Sequence, residues 1–220
     1  MTTLTTSPCS TVVASLFAAA DESESRLAQR RDSFSQAELA GLMTSTENYR
    51  SLYESLGEFH LAVSRDTAHL LYILARSIRA RVIVEFGTSF GVSTVHLAAA
   101  LRDNGGGRLV GSEFEPVKVD QARRNIAAAG LEDLVEIRAG DALETLAGPV
   151  PGPIDLLLLD GAKGLYPKIL ALLEPHLRPG SLIVADNADW SEEYLALVRA
   201  PAGGYMSVPF GADVELSIKL

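Results

Sequence analysis

Short apolar segments, each closed by a glycine or acidic turn and followed by a stretch of helical period, recur from about residue 60 onward. That alternation constrains the fold more than any other feature. Continuously apolar strands joined by helices bury both their faces only in a parallel, doubly wound α/β sheet. A helix is predicted over Thr67–Ser77, with Leu70, Leu71, Leu74 and Ile78 on one side, then a strand over Val82–Glu85. A helix over about Ser93–Leu101, a Gly105-Gly106-Gly107 loop and a strand over Leu109–Glu113 follow. The next helix covers about Val117–Ala129, with Gly130 where a helix C-cap is expected. Val135–Arg138 reads as the third strand and Ala142–Leu146 as a short helix. Ile154–Leu159, with its unbroken Leu156–Leu159 run, reads as a centre strand covered on both faces. Tyr166–Glu174 is predicted helical and Ser181–Ala185 a further buried strand. Met206–Leu220 alternates more strongly, as an antiparallel pair at the sheet edge would. A length of 220 residues with 47% hydrophobic content is enough for one such domain.

Residues 1–58 differ in texture, being polar and Ser/Thr-rich without a strand-like run. Leu39, Leu42 and Met43, and again Leu52, Leu56 and Phe59, recur at helical spacing. This is expected to be a helical extension packed on residues 59–220 as a lid or a subunit contact. Val12–Ala20 resembles the apolar part of a secretory leader, but no Lys or Arg precedes Arg26. With no stretch approaching the length of a membrane span, and a single cysteine, Cys9, a soluble and cytoplasmic protein is expected. The net charge of -9 argues against nucleic acid as a partner, since no basic field would gather phosphates.

In such sheets ligands bind at the carboxyl ends of the strands. The first strand ends in Glu85-Phe86-Gly87-Thr88-Ser89-Phe90-Gly91, a G-x-x-x-G turn. A dinucleotide fold would need G-x-G-x-x-G, and Ser89 stands where its second glycine belongs. An acidic residue before the turn and no phosphate motif suit a cationic nucleoside such as S-adenosylmethionine. Glu113, at the end of the second strand, can accept from both ribose hydroxyls. Asp141, in Ala139-Gly140-Asp141-Ala142, follows the third strand where an adenine would lie; it can equally be a helix N-cap. Glu85 can also be read as a buried structural acid.

The next two strands end in Leu158-Leu159-Asp160-Gly161-Ala162-Lys163 and Val184-Ala185-Asp186-Asn187. If they are neighbours, Asp160, Asp186 and Asn187 converge as three oxygen donors of the kind that suit Mg²⁺ or another divalent cation. Either carboxylate alone would read as a cap or an ordinary strand-end acid. Lys163 would then lie close enough to a cation for its pKa to fall, making it a candidate base. Read alone it would be a solvated surface charge.

From about residue 61 to 220 the chain resembles the catechol O-methyltransferase-like family of class I methyltransferases, bacterial type, through VIVEFGTSFGVST, LVGSEFEP, AGDA, LLLLDGAKGLYP and LIVADNADW. The resemblance implies a Rossmann-like, S-adenosylmethionine-dependent and divalent-metal-dependent O-methyltransferase acting on a phenolic or catechol-like small molecule, commonly a homodimer. It implies that Glu85, Gly87 and Thr88 line the methionine end of the cofactor, while Ser93 and the Val63 backbone hold its carboxylate. Glu113 then takes the ribose, and Asp141 and Ala142 border the adenine. Asp160, which also borders the cofactor, binds Mg²⁺ with Asp186 and Asn187, and Lys163 is the base. Gly161 and Ala162 are small where the animal enzyme is bulky, so that side of the pocket is expected to be more open. The stretch between Trp190 and Tyr205 is shorter than in bacterial relatives. Trp190 and Tyr166 are candidate aromatic walls, and Asp213 and Glu215 candidates for a second acidic contact to the acceptor. His60, His69, His96 and His176 show no ligand spacing, and His96 reads as structural. The main alternative keeps the methyl donor but moves the methyl to an amine or lone hydroxyl without a functional metal. A nucleotide-binding oxidoreductase and a non-catalytic S-adenosylmethionine sensor are weaker alternatives.

Overall fold

The structure, a computed structural model, describes residues 1–32, 35–47 and 49–220. Three helices come first: α1 (Cys9–Asp32), α2 (Gln36–Met43) and α3 (Tyr49–Ser55). The alternating part then runs α4 (Arg65–Ser77), β1 (Val82–Phe86), α5 (Val92–Asp103), β2 (Arg108–Glu113), α6 (Pro116–Ala128) and β3 (Val135–Ala139). It continues with α7 (Ala142–Thr145), β4 (Ile154–Leu159), α8 (Tyr166–Leu173), β5 (Leu177–Ala185), α9 (Glu192–Arg199), β6 (Tyr205–Phe210) and β7 (Val214–Lys219). The predicted doubly wound sheet is present, with strand order β3-β2-β1-β4-β5-β7-β6. Strands β1 to β5 pair in parallel, and the expected antiparallel edge is formed by β7 and β6.

Local chemistry sets the element ends. Ser64 caps α4 by accepting the Thr67 N–H at 3.0 Å. Pro116 stands in the first turn of α6, where a missing N–H costs nothing. Ser35 and Glu38 form a reciprocal capping box on α2, which carries the predicted Leu42 and Met43; the Leu39 side chain lies outside the described residues. Strand β5 is longer than its predicted Ser181–Ala185, which is its continuously buried part; Leu177 is buried as well, and the exposed Arg178, Pro179 and Gly180 lie between.

Every residue of β4 is buried, as expected of the centre strand. One core lies between the sheet and α1, α4, α5 and α6, including Leu16, Phe17, Leu71, Leu97 and Ile126. The other lies beneath α8 and α9 and contains Tyr166, Ile169, Leu173 and Tyr194. Among the described residues no helix is long and apolar enough to cross a membrane.

The register places the site. Phe86 pairs with Leu159 and Leu159 with Ala185, so the residues that follow, Gly87, Asp160 and Asp186, emerge level from three adjacent strands. The strand order reverses between β1 and β4, the kind of switch point where open α/β sheets bind ligands.

Candidate active site

The turn after β1 is shaped by its neighbours. Gly87 has φ +97°, and a Cβ there would sit 2.6 Å from the Asp160 carbonyl carbon and 2.8 Å from the Gly161 nitrogen. Glycine is therefore required because the end of β4 presses against the turn, in addition to any close approach by a ligand. Glu85 is wholly buried beneath the turn. It accepts hydrogen bonds from Ser93 Oγ and Thr94 Oγ1 at 2.6 Å each and from Thr88 Oγ1 at 3.0 Å. Burial outweighs these donors and pushes its carboxyl up to about 7. Ser93 spends its one hydroxyl hydrogen on Glu85, so its group in reserve for a ligand anion is the backbone N–H in the first turn of α5.

Glu113 accepts the Ser89 N–H at 2.6 Å and the Glu115 N–H at 2.9 Å, which fix its carboxylate over the turn. Asp141 does cap α7, taking the Leu143 N–H at 2.9 Å. Its other oxygen is held by the Tyr49 hydroxyl at 2.5 Å and the Arg50 guanidinium at 2.6 Å, both from α3. Burial alone would raise Asp141, but these donors hold it below the ordinary carboxylate range.

Asp160 and Asp186 end adjacent strands, as predicted, and their carboxyl groups lie close enough to act on one another electrostatically. Burial and the Asp160 charge push Asp186 up to about 8. Two neighbouring carboxyl groups favour a bound proton or a cation beside them, and their hard oxygens fit a divalent ion. Asn187, in left-handed conformation at φ 48°, joins them and donates its amide to Asp213 at 2.9 Å. Among the described residues no group of three or more His, Cys, Asp or Glu is placed to hold a metal, so the donor set here is two carboxylates and an amide.

Lys163 stands beside Asp160. It is buried, and burial lowers its pKa, but Tyr166 and Asp160 beside it hold the ammonium well above the ordinary lysine value. It donates to Asp160 at 3.0 Å and to the Tyr166 hydroxyl at 2.9 Å, and Tyr166 in turn donates to the Asp186 carbonyl at 2.7 Å. Tyr166 is thus the clamp on Lys163, and its ring packs edge-on against Phe86 and Tyr194. The only sequence signal for this was its i+3 spacing from Lys163.

Three clefts meet at these strand ends. The first, about 610 Å³, runs past Gly87, Glu113, Asp141 and Ala142 under Tyr49 and Tyr53. A smaller one of about 240 Å³ continues it to Val63, Thr88 and Ser93. The third, about 800 Å³, has Lys163, Asp186 and Asn187 at one end and Leu27, Met43, Leu52 and Leu56 of the N-terminal helices as its walls. Asp160 and Leu61 line all three. The clefts bring together the residues predicted for cofactor, metal and base except Glu85, which acts from below; the predicted acceptor contacts Tyr166, Trp190, Asp213 and Glu215 line none of the three.

Other expectations change. The side near Gly161 is not open: a Cβ there would run into the Phe86 ring, and Tyr53 donates to the Gly161 carbonyl at 3.2 Å. Phe86 and Tyr53 fill the space that a bulky side chain would take. Glu215 is buried in a two-point ion pair with Arg199 at 2.8 and 2.6 Å and is structural; Asp213 is the acid beside Asn187. Trp190 lines none of the three clefts but a separate surface groove with Thr44, Gly164 and Asp189. His96 bonds the Val92 carbonyl within its own helix, as a structural histidine does. His60 stacks on Phe90 at 4.1 Å. Tyr49, Arg50 and Tyr53 gave no signal in the sequence, because their partners at the site lie 91 to 108 positions away.

Residues 84–188 match a family model described as a methyltransferase domain. A catechol O-methyltransferase of Niastella koreensis is 38% identical over 130 residues, covering 58% of this chain and 58% of the relative. The match thus spans less than two thirds of that curated relative's length. An O-methyltransferase from Bacillus cereus solved in complex with SAH superposes with TM-score 0.68 and 26% identity, over 79% of this chain and 90% of that one. An O-methyltransferase from Streptomyces achromogenes, involved in tomaymycin synthesis and solved with SAM, gives TM-score 0.65 and 25% identity over 84% and 95%. The fold is the Rossmann-like methyltransferase fold, and the chain is similar to bacterial catechol O-methyltransferase-like enzymes.

Proposed function

We propose that the protein is an S-adenosylmethionine-dependent O-methyltransferase that methylates a hydroxyl of a catechol-like small molecule with the help of Mg²⁺ or a similar divalent cation. The observation that carries this reading is the meeting of three clefts at Asp160, with Lys163 and Asp186 at the junction. The cleft past Gly87, Glu113 and Asp141 opens there beside a second chamber walled by Leu27, Met43, Leu52 and Leu56. The names of the relatives and their SAM or SAH complexes support the same donor and reaction.

In this reading Val63 and Ser93 offer backbone N–H groups to the methionine carboxylate, Gly87 and Thr88 line that end, and Glu85 supports the turn. Glu113 takes the ribose, and Asp141 and Ala142 border the adenine. Asp160, Asp186 and Asn187 would hold the cation, which when bound supplies Lewis-acid polarisation of the acceptor oxygens. Lys163 would lose its ammonium proton to solvent before the acceptor binds and then take the hydroxyl proton as the free amine, while Tyr166 fixes where the amine stands. The roof over the chamber excludes water, which favours a step in which charge is neutralised. A homodimer belongs to the same proposal.

A methyl-transfer screen over vicinal dihydroxy aromatics, with and without Mg²⁺, tests it. Lys163→Ala should keep SAH binding by calorimetry and lose turnover by about 10²- to 10⁴-fold. Full activity in excess chelator would remove the metal from the reading. The Lys163–Asp160 ion pair favours a second reading, transfer to a neutral amine without a metal, because such an amine attacks with its own lone pair and needs no base to begin. Amine acceptors in the same screen separate the two.

A further inference from the structure

The cofactor cleft contains a buried cation that neither the fold nor the proposed reaction uses. Lys118, in the first turns of α6, is only 2% exposed and lines the first cleft beside Ser89, Glu113, Phe114 and Glu115. Among the described residues its ammonium makes no hydrogen bond and no ion pair. Its nearest aromatic contact is the Phe90 ring, with Nζ 5.6 Å from the centroid. Glu113, Glu115 and Asp160 are close enough to act on it electrostatically, but burial dominates and lowers its pKa. A buried, unpaired ammonium is costly, so a persistent one calls for a partner that is not part of the chain.

On the same rim Glu115 has an oxygen, Oε1, that is buried and without a partner. The cleft thus presents an unused donor and an unused acceptor beside Glu113. A carboxylate reads only the hydrogen of a hydroxyl and leaves its oxygen lone pairs unmet. An ammonium alongside completes the recognition, since a hydroxyl donates to one group while accepting from the other. Of the parts of an adenosine ligand, the ribose diol has this chemistry.

Resting on the methyl-donor reading above, we propose that Lys118 is a cofactor-binding residue whose ammonium donates to a ribose hydroxyl oxygen of the methyl donor, opposite Glu113. Lys118 and Glu113 then read the diol as a pair, and the cleft discriminates a ribose from a deoxyribose more strongly than a carboxylate alone would.

Calorimetric titration of the whole protein with SAH and with its 2′-deoxy and 3′-deoxy analogues tests this. Lys118→Met, which removes a buried charge and keeps the length of the stem, should weaken SAH binding by about tenfold or more. The ratio of SAH to deoxy-analogue affinity should fall by a similar factor for at least one of the two analogues. Lys118→Gln, which retains a donor, should lie between Met and wild type. If wild type binds SAH and both variants keep its affinity and its ribose preference, Lys118 is a packing residue and the proposal fails alone. If wild type binds no SAH, the methyl-donor reading fails and takes this one with it.

Discussion

Glu85 shows how a residue chosen from sequence as a ligand contact can act through its own protonation. With three hydroxyl donors it stays in the fold, yet burial pushes its carboxyl up to about 7 against an unfolded value near 4.5. Because the folded pKa is the higher one, its stabilising contribution is fully present below about pH 4.5 and is lost as the pH rises through about 7. A shift of that size corresponds to at most about 3 kcal/mol. Glu85→Gln cannot ionise, and its amide can still accept from one hydroxyl and donate to another. The variant should therefore gain on wild type between pH 5 and pH 8, read as the difference in denaturation midpoint at the two pH values. Parallel pH profiles for the two proteins would show that Glu85 ionises without cost in the fold.

At the scale of elements, α3 is the piece that sequence described least. Its seven residues are too short to be helical on their own, so tertiary contacts must hold it. Those contacts are the Tyr49 and Arg50 bonds to Asp141, the Tyr53 bond to the Gly161 carbonyl, and the buried Leu52. All three polar anchors lie over the first cleft, so a ligand leaving that cleft should have to loosen them. Tyr49→Phe combined with Arg50→Ala is expected to raise the SAH dissociation rate about fivefold in stopped-flow, with little change in melting temperature. An unchanged rate would mean that α3 does not gate the cleft. The strands, by contrast, were legible because they are apolar and end in marked turns; Glu113, Asp160 and Asp186 could be placed from that pattern alone. Helix α5 was legible as an apolar segment but not as amphipathic, since Val92–Leu101 are all buried and no polar face remains to give a period. What could not be read was whatever depends on contact between distant segments: the Tyr166 clamp, the Phe86 ring filling the space beside Gly161, and the unpaired state of Lys118.

At the scale of the whole molecule, residues 1–58 are tied to the rest by more than the site. Cys9, Leu16 and Phe17 of α1 are buried in the core that also holds Val95, Leu97 and Leu101 of α5. Upstream of α1, the Thr3 backbone and hydroxyl bond Asp103 at the end of α5, the latter at 2.6 Å. Leu27 and Leu52 are buried too, and both line the third cleft. Each large apolar side chain buried this way contributes about 1.5–3 kcal/mol, and together they approach the usual stability of a whole domain, about 5–15 kcal/mol. The extension is thus both roof and core, which sets the outcome of removing it. A chain of residues 59–220 should lose cooperative thermal unfolding or melt far below the full chain. Phe17→Ala in the full chain should cost about 3–5 kcal/mol in denaturant titrations. If residues 59–220 instead melted cooperatively near the full-chain temperature and still bound SAH, the extension would be a roof alone. The cleft that it roofs could then be exchanged without rebuilding the domain beneath it.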